Sequence, residues 1–359
     1  MIMPVHGGEV FRLAAEAGLQ PEEIIDFSAN INPLGLPPGV RESMLKALDG
    51  LANYPEIGAE SLRQAIAQRH RLPAADVIVG NGSTALIYLL ARALRPKKVL
   101  LWAPTFTEYE RAFALARGRV FNLLSWSEGE PHTLDKLLKK SLEYKAELIF
   151  ICNPNNPTGS LRTPEELEKI ISGFAKAGTI CVIDEAFIDF VGADCSFAER
   201  VKEFDNLLVL RSLTKIYALA GLRCGYLLAG EKLAREIGGL LEPWSLNSIA
   251  MAAATTALKN DKNFMAETIA LIEQQRNYLT AALSALDWLE IFPSRVNYLL
   301  ARLARAIDID DLKRFLFSRE KILVRSCADY FGLGREYMRF AVKGEMENLR
   351  LIKALQAYR

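Results

Sequence analysis

The sequence predicts an α/β fold: a mostly parallel sheet covered by helices on both faces, followed by a smaller α+β unit. Three observations predict it. From about residue 40 to 230, short apolar runs alternate with helical patterns, as in strands joined by crossover helices. Beyond about residue 260 the alternation stops, and strand-like pieces mix with helices. The chain also has 359 residues, more than one typical domain, so two lobes around a cleft are expected. The expected division is an N-terminal arm and substrate-site segment at 1–35, a large domain at 36–260 and a small C-terminal domain at 261–359.

Taken in order, residues 9–17 show amphipathic helical spacing. Residues 26–38 read as an extended connection, because their Pro and Gly residues prevent a helix. Expected strands are Val77–Gly80, Val99–Trp102, Val120–Leu124, Leu148–Ile151, Ile180–Ile183 and Leu207–Arg211. Helices such as Thr84–Leu94 and Pro164–Ala177 lie between them. A long helix is expected over 261–285. Strands over 296–302, 322–326 and 337–342 then mix with helices over 308–318 and 345–357.

Composition narrows the partners. Lys plus Arg total 44 and Asp plus Glu total 43, so nothing suggests nucleic acid or an acidic membrane surface. Any anion binding must come from a few placed cations. The five cysteines (Cys152, Cys181, Cys195, Cys224, Cys327) are odd in number and unclustered. They suggest neither a disulfide framework nor a metal site, and a reducing cytoplasm fits best. Met1 to Gly8 has no basic and apolar leader, and no apolar run is long enough to span a bilayer, so secretion and membrane insertion are not expected.

Four segments carry chemistry. In Arg211-Ser212-Leu213-Thr214-Lys215, with Gly221-Leu222-Arg223 following, a strand ends where α/β sheets place ligands. Lys215 can form a Schiff base with an aldehyde cofactor, and Ser212, Thr214 and Arg223 can donate to a phosphate. Alone, Lys215 reads as a solvated loop lysine. Asp184, at the end of the run Ile180–Ile183, can pair with a protonated pyridine nitrogen or cap the next helix. Asn153-Pro154-Asn155-Asn156-Pro157-Thr158-Gly159 is a turn in which Asn156 can donate to a phenolic oxygen. Gly80-Asn81-Gly82-Ser83-Thr84 can present backbone N–H groups and a helix N-terminus to an anion. Phe106 can stack on a ring or simply pack in the core.

In order and spacing, these segments resemble the fold-type I pyridoxal-5′-phosphate (PLP) enzymes of the class-II aminotransferase family, with their aspartate aminotransferase-like fold. Within it the chain looks most like the histidinol-phosphate aminotransferases and the L-threonine-O-3-phosphate decarboxylases of cobalamin biosynthesis. The resemblance implies that Lys215 holds PLP in the large domain and Asp184 pairs with the pyridine nitrogen. Asn156 would bond the phenolic oxygen and also reach substrate. Ser83, Thr84, Ser212, Thr214 and Arg223 would hold the cofactor phosphate, with Phe106 on the ring. Tyr54 would reach the cofactor phosphate of the neighbouring subunit, which requires a homodimer.

The two enzyme classes differ in which bond at Cα breaks. The bond perpendicular to the pyridine plane is the one weakened, so the residues gripping the substrate's phosphate and carboxylate decide. His6-Gly7-Gly8, Asp26–Gly35, Arg325, Arg339 and Trp244 resemble the decarboxylase. Phe187 stands where many aminotransferases carry a tyrosine. The likeness implies that His6, Asn32 and Arg325 bind the substrate phosphate and Arg339 its carboxylate, in a decarboxylase of L-threonine O-3-phosphate. Histidinol-phosphate aminotransferase is the alternative. A non-catalytic PLP-binding regulator is a third reading, but such proteins usually need a DNA-binding domain, and the chain has no basic excess.

Overall fold

The computed structural model describes residues 7–127, 130–131, 133–304 and 306–358. In chain order, a two-residue strand β1 (Ile25–Asp26) precedes β2 (Val77–Asn81), β3 (Lys98–Ala103) and β4 (Arg119–Leu124). A small ribbon, β5 (Trp126–Ser127) with β6 (Glu130–Pro131), is followed by β7 (Leu148–Cys152), β8 (Ile180–Asp184), β9 (Leu207–Ser212) and β10 (Cys224–Ala229). The last five are β11 (Leu289–Ile291), β12 (Tyr298–Leu303), β13 (Ile322–Leu323), β14 (Arg325–Ser326) and β15 (Tyr337–Ala341).

Among the described residues the main sheet has seven strands in the order β2-β10-β9-β8-β7-β3-β4, and only β10 runs against the rest. The expected mostly parallel sheet is therefore present. Its central strands are buried along their length and read as unbroken apolar runs, because helices cover both faces. Val77, Leu100, Ile149 and Val209 point to one face, against helices that include Leu62, Ile171 and Met251. Val99, Phe150, Val182 and Leu210 point to the other, against Leu86, Leu90 and Phe113.

Local signals set the connecting helices. The helix Pro164–Lys176 opens with a capping box: Thr163 Oγ1 accepts from Glu166 N at 3.3 Å, and Thr163 N donates to Glu166 Oε2 at 2.9 Å. Proline at its first position costs no hydrogen bond there. The long helix Lys262–Ser284 leads to a four-stranded antiparallel sheet, β11-β12-β15-β14, whose Leu299 and Phe340 continue the first core cluster.

Two differences from expectation are tertiary in origin. The run at 322–326 is not one strand. β13 pairs with β1, while β14 pairs with β15, so the chain changes partner at Val324. β10, antiparallel beside β9, follows the loop that carries Arg223 and was not foreseen as a strand.

A buried ion-pair cluster underlies the end of β9. Arg211 donates to Glu185 Oε2 at 2.9 Å and to Asp189 Oδ1 at 2.5 Å. Glu185 also accepts from Phe197 N and Ser196 Oγ, both at 2.6 Å. Arg69 pairs with Asp261, which accepts from Tyr217 Oη at 2.7 Å. Removing one member strands its partners in a low-dielectric interior. Arg211→Ala should therefore lower stability by about 3–5 kcal/mol, read as a fall in the urea midpoint of the apoprotein. An unchanged midpoint would show that the cluster does not hold this region.

Candidate active site

The carboxyl ends of β7, β8 and β9 converge with the N-terminus of the helix Gly82–Leu94 on one cavity of about 630 Å³. Lys215 sits on a single turn, Leu213–Ile216, directly after β9. Its Nζ donates to Thr214 Oγ1 at 2.7 Å, which lies 2.7 Å from Ser212 Oγ. Loss of water is the largest influence on the amine. Together with the charges of Arg223 and Arg339, and against the pull of Asp184, it lowers the pKa from 10.5 to about 8.

Asp184, the last residue of β8, is buried. Burial pushes its carboxyl above the ordinary range. Hydrogen bonds from Tyr109 Oη (2.5 Å to Oδ2) and Ala186 N (2.9 Å to Oδ1), and the charge of Lys215, oppose that. Tyr109 is fixed by stacking on Phe150 (centroids 4.4 Å apart) and by Phe106 edge-on at 5.6 Å.

Opposite these lies a place for an anion. The helix Gly82–Leu94 has no side-chain cap, so its first N–H groups are left for a ligand. Gly82 has φ +81°, and a Cβ there would lie 2.5 Å from Arg223 Nη2. Glycine suits that left-handed backbone and leaves the guanidinium room beside the helix start. Ser83 and Thr84 line the cavity beside it.

The remaining cations come from the C-terminal strands. Arg339, on β15, donates to Asn156 Oδ1 and to Ser28 O (2.8 Å). Its Nε is buried with no acceptor among the described residues. Asn156 Oδ1 is thus engaged by Arg339, with Tyr330 Oη at 3.4 Å, which leaves the Nδ2 donor of the amide for a ligand. Arg325 is held by Asp329, both of whose carboxylate oxygens lie 2.7 Å from Nη2.

The structure thus brings Ser83, Thr84, Phe106, Asn156, Asp184, Lys215, Arg223, Arg325 and Arg339 to one cavity. Ser212 and Thr214 stand behind it, joined to Lys215 through their hydroxyls. Tyr54 does not line it. This side chain is 83% exposed and packs against Trp244 in a tilted arrangement, ring centroids 4.9 Å apart. His6 lies outside the described residues.

Asn32 requires a correction. It is buried, and its amide is spent on Ile216 O (2.7 Å), Thr268 Oγ1 (2.9 Å) and Leu34 N (3.0 Å), so it has no donor for a substrate phosphate. The neighbour two residues earlier, Asn30, lines the cavity instead. Sequence reasoning also passed over Tyr109, three residues beyond Phe106 on the same turn, and Tyr330. The signal for Tyr109 was helical spacing from a residue already singled out.

The sequence pattern of aminotransferase class I and II matches residues 22–355. The chain belongs to the aminotransferase class I and II family. As a member it is a PLP-dependent enzyme with the fold-type I architecture. A threonine-phosphate decarboxylase of Salmonella typhimurium is 37% identical over 352 residues, covering 98% of this chain and 95% of the relative. A histidinol-phosphate aminotransferase from Clostridium acetobutylicum superposes with a TM-score of 0.85 at 28% identity, covering 92% of this chain and 98% of that one. An L-threonine-O-3-phosphate decarboxylase from Porphyromonas gingivalis gives 0.83 at 27%, with 92% and 98% covered.

The residues of this aminotransferase-family cavity fit PLP. The uncapped helix and the glycine cradle suit a phosphate, the buried Asp184 suits a cationic ring nitrogen, and Lys215 offers an amine that loses its proton readily. Among the described residues no cluster of acidic, histidine or cysteine side chains could hold a metal ion, and no helix is long and apolar enough to cross a membrane.

Only a neutral amine attacks an aldehyde. With a pKa near 8, far more of Lys215 is neutral at neutral pH than of an exposed lysine. The rate at which apoprotein captures PLP should therefore rise through a midpoint near pH 8. A midpoint near 10 in stopped-flow absorbance would contradict this assignment. In Lys215→Ala, borohydride should fix no PLP to the protein.

Proposed function

We propose that this family member decarboxylates L-threonine O-3-phosphate to (R)-1-aminopropan-2-yl phosphate, the linker precursor of cobalamin. The observation that carries this reading is Arg339: a pinned guanidinium beside Lys215's cavity whose buried Nε still wants an acceptor, which suits a substrate carboxylate. The 37% identity to a threonine-phosphate decarboxylase across nearly the whole chain supports it. So does Phe187, which lines the cavity without the hydroxyl that many aminotransferases use on the phenolic oxygen.

PLP, when bound, supplies a sink for the electron pair that Cα keeps as CO2 leaves. The protein's part is to hold and orient. Lys215 would carry the cofactor and would offer its amine for release of the product. Asp184, kept in place by Tyr109, would hold the cofactor's ring nitrogen protonated. Ser83, Thr84 and Arg223 would hold the cofactor phosphate, with the hydroxyls of Ser212 and Thr214 behind them, Phe106 would cover the ring, and Asn156 would offer Nδ2 to the phenolic oxygen. Arg339 grips the substrate carboxylate. Arg325 and Asn30 take its phosphate, together with His6. Tyr54 and Trp244 form an exposed aromatic pair suited to a second copy of the chain, through which Tyr54 reaches the neighbouring cofactor phosphate.

Holoenzyme given threonine phosphate alone should release CO2 and the amino alcohol phosphate with no 2-oxo acid present. Turnover confined to histidinol phosphate plus 2-oxoglutarate would overturn the reading. Arg339→Ala removes charge-assisted hydrogen bonds, so KM should rise roughly 10- to 100-fold, with PLP affinity nearly unchanged by spectroscopic titration. Lost PLP with an unaltered KM would contradict the role given to Arg339.

A further inference from the structure

Residues 28–31 form part of the cavity wall, and with Asn32 they make a strap fastened at both ends. At one end Ser28 O accepts from Arg339 Nη2 at 2.8 Å, and the preceding residue is tied by Phe27 N to Leu323 O and by Ala341 N to Phe27 O. At the other, Asn32 N donates to Lys215 O at 3.1 Å, and Asn32 Nδ2 donates to Ile216 O and to Thr268 Oγ1 on the helix Lys262–Ser284. Between the fastenings, Ala29, Asn30 and Ile31 line the cavity. The strap thus runs from the guanidinium proposed to grip the carboxylate to the turn bearing the amine. Thr268 is wholly buried and does not line the cavity.

We infer that Asn32 is a positioning residue that fixes the strap between Lys215 and Arg339 and so decides which bond of the substrate's Cα is broken. This rests on the decarboxylase reading above. The alternative to breaking the bond to the carboxylate is breaking the bond to hydrogen, and the two differ only by rotation about the Cα–N bond. With a phosphate on Cβ, loss of the Cα proton to Lys215 lets the Cβ–O bond break with its electron pair. Addition of one water then gives inorganic phosphate, ammonia and 2-oxobutanoate. Decarboxylation keeps the phosphate on the product. The ratio of inorganic phosphate to CO2 therefore reads the alignment directly.

In Asn32→Ala the strap loses its side-chain fastening. We expect kcat to fall about 10- to 100-fold, KM to stay within about threefold, and the phosphate-to-CO2 ratio to rise at least about tenfold. Asn32→Asp should do the same, since a carboxylate cannot donate to Ile216 O. Thr268→Val, which removes an acceptor remote from the cavity, should shift the ratio in the same direction by less. Hydrogen exchange of residues 28–34 in the apoprotein should quicken in each variant. A raised KM with kcat and product ratio unchanged would mean that Asn32 is a substrate ligand, and would overturn the inference. So would unchanged exchange and ratio in Thr268→Val, which serves even if Asn32→Ala fails to fold. Wild-type protein that releases no CO2 would sink the reaction reading and the specificity role with it, while exchange in the apoprotein would still decide whether Asn32 anchors the strap.

Discussion

A lysine amine that is buried away from water and shares its cavity with Arg223 and Arg339 cannot easily hold its own proton. Of a guanidinium and an amine set side by side, the amine gives up its proton far more readily, so the group that yields is Lys215. Asp184 limits the effect without cancelling it. The outcome is an amine near 8, where both the protonated and the nucleophilic form are accessible at neutral pH. Much of the surrounding structure can be read as the means of keeping these like charges in place until anionic ligands arrive. Arg223 is tied to Ala220 O, Arg325 to Asp329, and Arg339 to Asn156 and Ser28 O. Charges fixed in this way lose little further freedom when a phosphate or carboxylate binds.

The fold supplies that fixity through strand ends. Asp184 closes β8, and the turn bearing Lys215 follows β9, so both groups inherit the register of the central parallel strands. Beneath them, Arg211, Glu185 and Asp189 form a buried cluster that fastens the same two strand ends from the far side of the cavity lining. Such clusters rarely add net stability, because desolvation offsets the attraction. Their geometry is restrictive, however. Glu185 is one residue beyond Asp184, and Arg211 lies four before Lys215, so a shift in either strand would break the pairs.

This arrangement explains what could be read from sequence. Strands buried on both faces appear as continuous apolar runs, so β7, β8 and β9 were visible within a residue or so at their ends. Each motif at their carboxyl ends has a structural alternative when taken alone, and they became legible only together, through an order and spacing that resemble a known family. What could not be read depends on distant partners. The split between β13 and β14 is set by β1 and β15, far away in sequence. The two asparagines in Ser28-Ala29-Asn30-Ile31-Asn32 are chemically identical, and simple alternation would put both on one face. Asn32 turns away because its partners Ile216 and Thr268 lie 184 and 236 residues downstream. No local signal encodes that choice.

Charge alone cannot select a reaction here. Arg325 and Arg339 would attract the phosphate and carboxylate of a bound amino acid in any rotamer of its Cα–N bond, and an aminotransferase cavity needs similar cations. Selection requires that the distance and angle between the carboxylate grip and the amine be held by something stiffer than the ligand. A guanidinium hydrogen-bonded through two of its nitrogens, to a side-chain amide and a main-chain carbonyl, has lost the freedom to follow a rotating carboxylate. That carbonyl belongs to Ser28, and the segment it begins ends on the lysine turn itself. The substrate must therefore adapt to the protein, and the strap between those two fixed points is where this chain can favour one bond at Cα over the others.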